Sequence, residues 1–120
     1  QMCIRDRYEL GFPKGSIDAD EEPLDAARRE LREEIGMASD NIRQLRRVIL
    51  SPAYFNRPTW IMLATSLKVA PLPGDEPEEI EHIRWPLARM WELLERKDFA
   101  DGLNQLALYL LGDVLKEESC

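Results

Sequence analysis

Gly15 to Met37 reads GSIDADEEPLDAARRELREEIGM, the most strongly patterned stretch of the chain. Pro23 suits the first position of a helix, where its missing N–H costs nothing. Gly36 is a natural C-terminal stop. The helix expected between them runs from Pro23 to about Ile35 and advances about 100° per residue. With Glu30 as origin, Glu34 falls at about +40° and Glu33 at about −60°, so three carboxylates share one face. Leu24, Ala27, Leu31 and Ile35 fall between about 60° and 140°, forming a separate apolar stripe. One side of the helix is thus expected to dock on a sheet while the adjoining side presents acid. Like charges at helical neighbour spacing cost about 0.2–0.5 kcal/mol each. Hard divalent cations held by carboxylate oxygens would offset that cost. A solvated face balanced by Arg28, Arg29 and Arg32 would do so as well.

Working outward, Tyr8 to Phe12 alternates like a strand and stops at the turn signals Pro13 and Gly15. Asn41 to Leu50 and Thr59 to Val69 read as strands, separated by a loop carrying Pro52, Tyr54, Phe55 and Arg57. An acidic, proline-containing loop from Pro71 to Glu79 leads into a short strand from about Ile80 to Trp85. Helices are expected from Leu87 to Glu95 and from Gly102 to Lys116, the second with Leu103, Leu106, Leu110 and Leu111 at helical spacing. The order strand, helix, strands, helices predicts an α+β sandwich with a mixed sheet. Residues 1–7 show no clear periodicity and read as a non-native or disordered leader ahead of a domain covering 8–117.

A chain of 120 residues supports one domain with a modest core. Its 23 acidic and 16 basic residues give a formal net charge of −7, which disfavours extended nucleic-acid binding. No apolar run approaches the roughly 20 residues needed to span a bilayer as a helix, so no membrane partner is expected. Cys3 and Cys120 suggest neither a disulfide framework nor a metal spacing, and a reducing cytoplasm is the expected location. His82 lies on a short strand without partner ligands, and Trp60, Trp85 and Trp91 read first as core or interface residues.

The spacing Gly15, five residues, Glu21, seven residues, Arg29-Glu30, Leu31, Arg32, Glu33-Glu34, Ile35, Gly36, Met37 matches every fixed position of the Nudix box. The chain therefore resembles the Nudix hydrolases. The segments YELGFPKG, SPAYFN and GDEPEEIEHIRWPL extend that resemblance to the ADP-ribose pyrophosphatase branch and its ADP-compound hydrolases. Pro52, 16 residues beyond Gly36, and Tyr54, 17 beyond Met37, stand where ADP-ribose and dinucleoside-polyphosphate hydrolases carry them.

The resemblance implies a Nudix fold, a mixed β-sheet sandwiched between helices, here with N-terminal strands missing. It implies Mg2+, or Mn2+, held by Glu30, Glu33 and Glu34, with the backbone carbonyl of Lys14 completing the shell. Glu21 and Arg29 take structural roles as a charge pair between loop and helix. The general base is Glu33 or, by rough alignment, Glu76, with Glu78 as auxiliary metal ligand. Tyr54 and Phe55 are candidates for contact with adenosine or ribose, and Arg57 for a substrate phosphate. The expected activity is Mg-dependent cleavage of the pyrophosphate bond in ADP-containing compounds (ADP-ribose, NADH, diadenosine triphosphate), releasing AMP. The alternatives are another nucleoside diphosphate substrate, such as a nucleotide sugar, and a Nudix-fold binding module without turnover. The longer parent protein is expected to be a homodimer, and the chain alone to be poorly stable and weakly active.

Overall fold

The computed structural model describes residues 2–5, 9–51, 57–70 and 81–118. In chain order the elements are β1 (Met2–Arg5), β2 (Glu9–Gly11), α1 (Pro23–Ile35), β3 (Met37–Ala38) and β4 (Asn41–Ile49). They continue with β5 (Pro58–Thr65), β6 (Lys68–Val69), β7 (Glu81–Ile83), a 3-10 segment (Leu87–Glu95) and α2 (Gly102–Glu118). The chain divides into two compact units, Gln1–Lys14 with Gly74–Cys120, and Gly15–Pro73.

In the first unit β1 lies between β2 and β7, antiparallel to both. Met2–Arg5, read from the sequence as leader, is thus the middle strand of this sheet. The core gathers Leu10, Met90, Leu93, Phe99 and Leu108, with Phe12, Ile83, Trp85, Leu94, Leu111 and Leu115 packed against it. Phe12 meets Phe99 edge to face at 5.9 Å, a favoured aromatic geometry. Asn104, buried on α2, accepts a hydrogen bond from the Phe12 N–H at 3.0 Å and so ties the strand end to the helix. The buried line of α2 is therefore Asn104 and Leu108, continued by Leu111 and Leu115. Of the four leucines expected to pack, Leu111 belongs to that line, and Leu103, Leu106 and Leu110 are half-buried. The expected helix at Leu87–Glu95 is a 3-10 segment broken at Arg89 (φ −115°, ψ 18°). The Arg89 carbonyl accepts the Trp85 indole N–H at 2.8 Å, which engages a carbonyl that an α-helix would spend on its own backbone.

The second unit carries α1 against β3, β4 and β5. β4 and β5 pair antiparallel from Asn41↔Thr65 to Ile49↔Pro58, with a bulge between Gln44 and Arg46. The strand expected from Thr59 to Val69 is two strands. Ser66 adopts φ 55°, a left-handed conformation that ends the ladder. The chain then leaves β4 and pairs with β3 as β6. The Ser39 hydroxyl donates to the Thr65 carbonyl and accepts the Asn41 N–H, fastening this crossing. All pairings among the described residues are antiparallel. The α+β class stands as expected, and a parallel pair, which a mixed sheet requires, is absent among them.

Candidate functional site

Helix α1 begins and ends where its sequence dictates. Pro23 occupies the first turn after an extended Glu22, and Gly36 closes the helix at φ 73°, ψ 29°. In that left-handed geometry the Gly36 N–H returns to the Arg32 carbonyl at 3.0 Å. The preceding loop folds back through a reciprocal turn. The Asp18 N–H donates to Glu21 Oε1 at 3.0 Å, and the Glu21 N–H donates to the Asp18 carbonyl at 3.1 Å.

Arg29 fastens this loop to the helix. Its Nε and Nη2 donate to Glu21 Oε2 and Oε1, both at 2.9 Å, a planar fork on a carboxylate. Nη2 also donates to the Ser16 carbonyl at 2.7 Å, and Asp18 Oδ2 stands 3.5 Å from Nε. The remaining nitrogen, Nη1, turns to the acidic face, donating to Glu30 Oε1 at 3.0 Å and to Glu33 Oε2 at 2.9 Å. The Glu21–Arg29 pairing expected from the resemblance is thus present in this geometry. The parts played by Ser16 and Asp18 were not foreseen, because they arise from the backbone path of the loop.

Gly15 explains how close the loop comes. A Cβ there would stand 1.9 Å from the Glu30 carboxyl carbon and 2.1 and 2.4 Å from its oxygens. Any larger residue would push the Glu30 carboxylate aside. The buried residue of α1 is Ala26, at 3% exposure, while Leu24 of the expected apolar stripe is 38% exposed. Ala26 lies at about −40° from Glu30, so burial reaches into the acidic side of the helix. Leu31 and Ile35 are half-buried, as are Glu30, Glu33 and Glu34.

The electrostatics follow from these contacts. The Arg29 fork, helped by the Asp18 N–H, lowers the Glu21 carboxyl from its ordinary 4.5 to about 2. The same partner, chiefly Glu21, raises Arg29 further above its usual value. Glu30 is shifted upward, mainly because burial penalises its charge. The hydrogen bond and charge of Arg29 oppose the shift, and Glu33 and Glu34 add to it by repulsion.

The donor chemistry of this face fits a hard divalent cation. Glu30, Glu33 and Glu34 offer only carboxylate oxygens, and two of the three already converge on one cationic nitrogen. Among the described residues no three His, Cys, Asp or Glu side chains stand close enough to enclose an ion as they are placed. Arg29 Nη1 lies between Glu30 and Glu33. Lys14 is exposed and is the last residue before Gly15, within the first unit. Arg57 is exposed immediately before β5, and His82 is exposed on β7. Tyr54, Phe55, Glu76 and Glu78 lie outside the described residues, as does Pro52. Trp85 and Trp60 are half-buried, and Trp91 is 48% exposed with its ring tilted 48° against that of Tyr109 at 5.3 Å between centroids.

Residues 3–106 match the NUDIX domain family. The chain is 44% identical over 109 residues to the ADP compounds hydrolase NudE of Escherichia coli (strain K12), covering 91% of this chain and 59% of that protein. A stretch of 31 residues, 26% of this chain, is 71% identical to part of an RNA pyrophosphohydrolase of Bartonella bacilliformis, covering 18% of it. A crystal structure of an ADP compounds hydrolase superposes with a TM-score of 0.89 at 40% identity, covering 98% of this chain and 65% of that one. This chain thus spans 59% of the length of the curated hydrolase and 65% of the solved one. No helix among the described residues is long and apolar enough to cross a membrane.

Proposed function

This chain belongs to the NUDIX domain family, and from that premise we propose that it carries the catalytic face of a divalent-metal pyrophosphohydrolase. The substrate is an ADP-containing compound such as ADP-ribose, NADH or diadenosine triphosphate, cleaved at the pyrophosphate to release AMP. Support for the substrate class comes from the two ADP compounds hydrolases that the chain resembles over nearly its whole length. Support for the chemistry comes above all from one observation, the placing of Glu30, Glu33 and Glu34 together on the half-buried side of α1 within the matched family domain.

Glu30, Glu33 and Glu34 would hold Mg2+ or Mn2+, with the Lys14 carbonyl and Glu78 as further ligands. When bound, such an ion neutralises the phosphate oxygens and acidifies water. The protein supplies the rest. Gly15 lets the loop lie close over the Glu30 carboxylate. The Glu21–Arg29 fork holds loop and helix in register, a preorganisation that spares reorientation during reaction. Glu33 or Glu76 takes the proton of the attacking water, a step worth typically about 10²–10⁴-fold. Arg57 pairs with a substrate phosphate, and Tyr54 and Phe55 contact the nucleoside. Within the same reading, the enzyme is a cytoplasmic homodimer.

The test is AMP release with Mg2+ from ADP-ribose, NADH, diadenosine triphosphate and a nucleotide sugar. It compares the native chain with Glu30→Gln, Glu33→Gln and Glu34→Gln. The expected result is release from the ADP compounds that falls by at least about 10²-fold in Glu33→Gln. Equal rates in all four proteins would remove the site. Fastest turnover of the nucleotide sugar would reassign the substrate, and nucleotide binding with no turnover would make the chain a binding module.

A further inference from the structure

Arg29 makes two kinds of contact through one planar group. Nε and Nη2 are committed to the loop, through both oxygens of Glu21 and the Ser16 carbonyl, at 2.7 to 2.9 Å. Nη1 is committed to the acidic face, through Glu30 and Glu33 at 3.0 and 2.9 Å. The loop contacts put a fork on a fork and suffice to hold the guanidinium in place by themselves. The Nη1 contacts do something else. They place a positive centre between two carboxylates that would otherwise repel across one helical turn. A divalent cation held by Glu30 and Glu33 would compete with Nη1 for the same two carboxylates.

We propose that Arg29 is a built-in counter-ion for the metal site. Nη1 holds Glu30 and Glu33 together while the site lacks its ion, and cedes both oxygens when a divalent cation enters. Nε and Nη2 do not let go of the loop. This rests on the metal reading above and goes beyond it. It makes loading an exchange of one cation for another rather than the filling of an open cage, and it confines the exchange to a single nitrogen. Glu30 also has nowhere to retreat on the loop side, since Gly15 leaves no room there.

The test reads Arg29 directly. The full chain, labelled with 15N and 13C, is titrated with Mg2+, following the Arg29 Nε–H and Nη–H signals and the side-chain carboxyl carbons of Glu21, Glu30 and Glu33. Binding is monitored in parallel with Mn2+ by electron paramagnetic resonance. The expected result is that Arg29 Nη1 shifts together with Glu30 and Glu33, while Nε and Glu21 keep their positions. Binding with Nη1 unmoved would overturn the exchange and leave the metal reading standing. Movement of Nε and Glu21 together with Nη1 would overturn the division of labour within the guanidinium. Failure of Mn2+ to bind at all would overturn the metal reading, and this inference with it. Arg29→Lys supplies a second check independent of turnover. A lysine keeps the charge but makes a single-point contact, so its Glu21 carboxyl carbon should shift on Mg2+ addition where the native one does not. An unmoved Glu21 signal in Arg29→Lys would show that the fork is not what protects the loop.

Discussion

The residues that organise the acidic face differ in how far the sequence announces them. Gly15, Glu21, Arg29 and the three glutamates are spaced as one motif. The sharing of one helix face by the glutamates is legible because a helix turns by a fixed angle, and the Glu21–Arg29 pair because the family resemblance implies it. Ser16 and Asp18 reach Arg29 only because the loop doubles back through a left-handed Asp20 (φ 65°), and no side-chain type at those positions signals it. Two predictions belong at this scale. In Gly15→Ala the new methyl group displaces the Glu30 carboxylate, the flexible end of a side chain, rather than backbone. Stability should therefore change by less than about 1 kcal/mol, while Mn2+ affinity falls at least tenfold. Thermal unfolding and Mn2+ titration of the same preparation check both halves. The second prediction concerns acid. The Glu21 carboxyl is lowered to about 2 by Arg29, so its pairing contributes stability above the unfolded value of 4.5 and loses it as pH falls from there toward 2. A carboxyl-carbon NMR titration should place the Glu21 midpoint near the low end of that window. A midpoint at the ordinary carboxylate value would mean that the fork with Arg29 is not formed in solution.

At the scale of elements, α1 is the part most fully legible, with Pro23 and Gly36 marking bounds that the structure reproduces as Pro23–Ile35. Strand β4 was legible almost to its ends for a similar reason, being bounded by turn residues. The break between β5 and β6 was not, because it depends on one residue, Ser66, taking a left-handed conformation while Ser39 clasps Thr65. The 3-10 segment was read as an ordinary helix, because the hydrogen bond from Trp85 to the Arg89 carbonyl is a contact that periodicity does not carry. Gly36→Ala should destabilise the chain by about 1–2 kcal/mol, the cost of a Cβ in the left-handed region, as measured by urea unfolding. A change under a few tenths would mean that the helix ends without that cap. Leu93→Ala removes a side chain 2% exposed at the centre of the first unit's core. It should cost about 2–5 kcal/mol.

At the scale of the whole molecule, the two units bury their apolar residues unequally. Leu10, Met90, Leu93, Phe99 and Leu108 form one cluster in the first unit, whereas Ala26 and Ile61 are the buried apolar side chains described in the second. Local stability follows buried contacts. Backbone amides of α2 around Leu108 should therefore outlast those of β4 in hydrogen–deuterium exchange, and equal protection would contradict this account of the core. With so few buried side chains, the unfolding free energy of the chain should lie at or below the lower end of the usual range, about 5 kcal/mol. The net charge of −7 sits on a protein whose proposed ligands are themselves anionic, so cations are needed to bring the two together. That requirement can be measured directly by Mn2+ titration of the native chain beside Glu30→Gln, Glu33→Gln and Glu34→Gln, followed by electron paramagnetic resonance. Saturable binding by the native chain is expected, with affinity at least tenfold weaker in each variant. Identical isotherms for all four would mean that α1 gathers its acids for some purpose other than holding a metal.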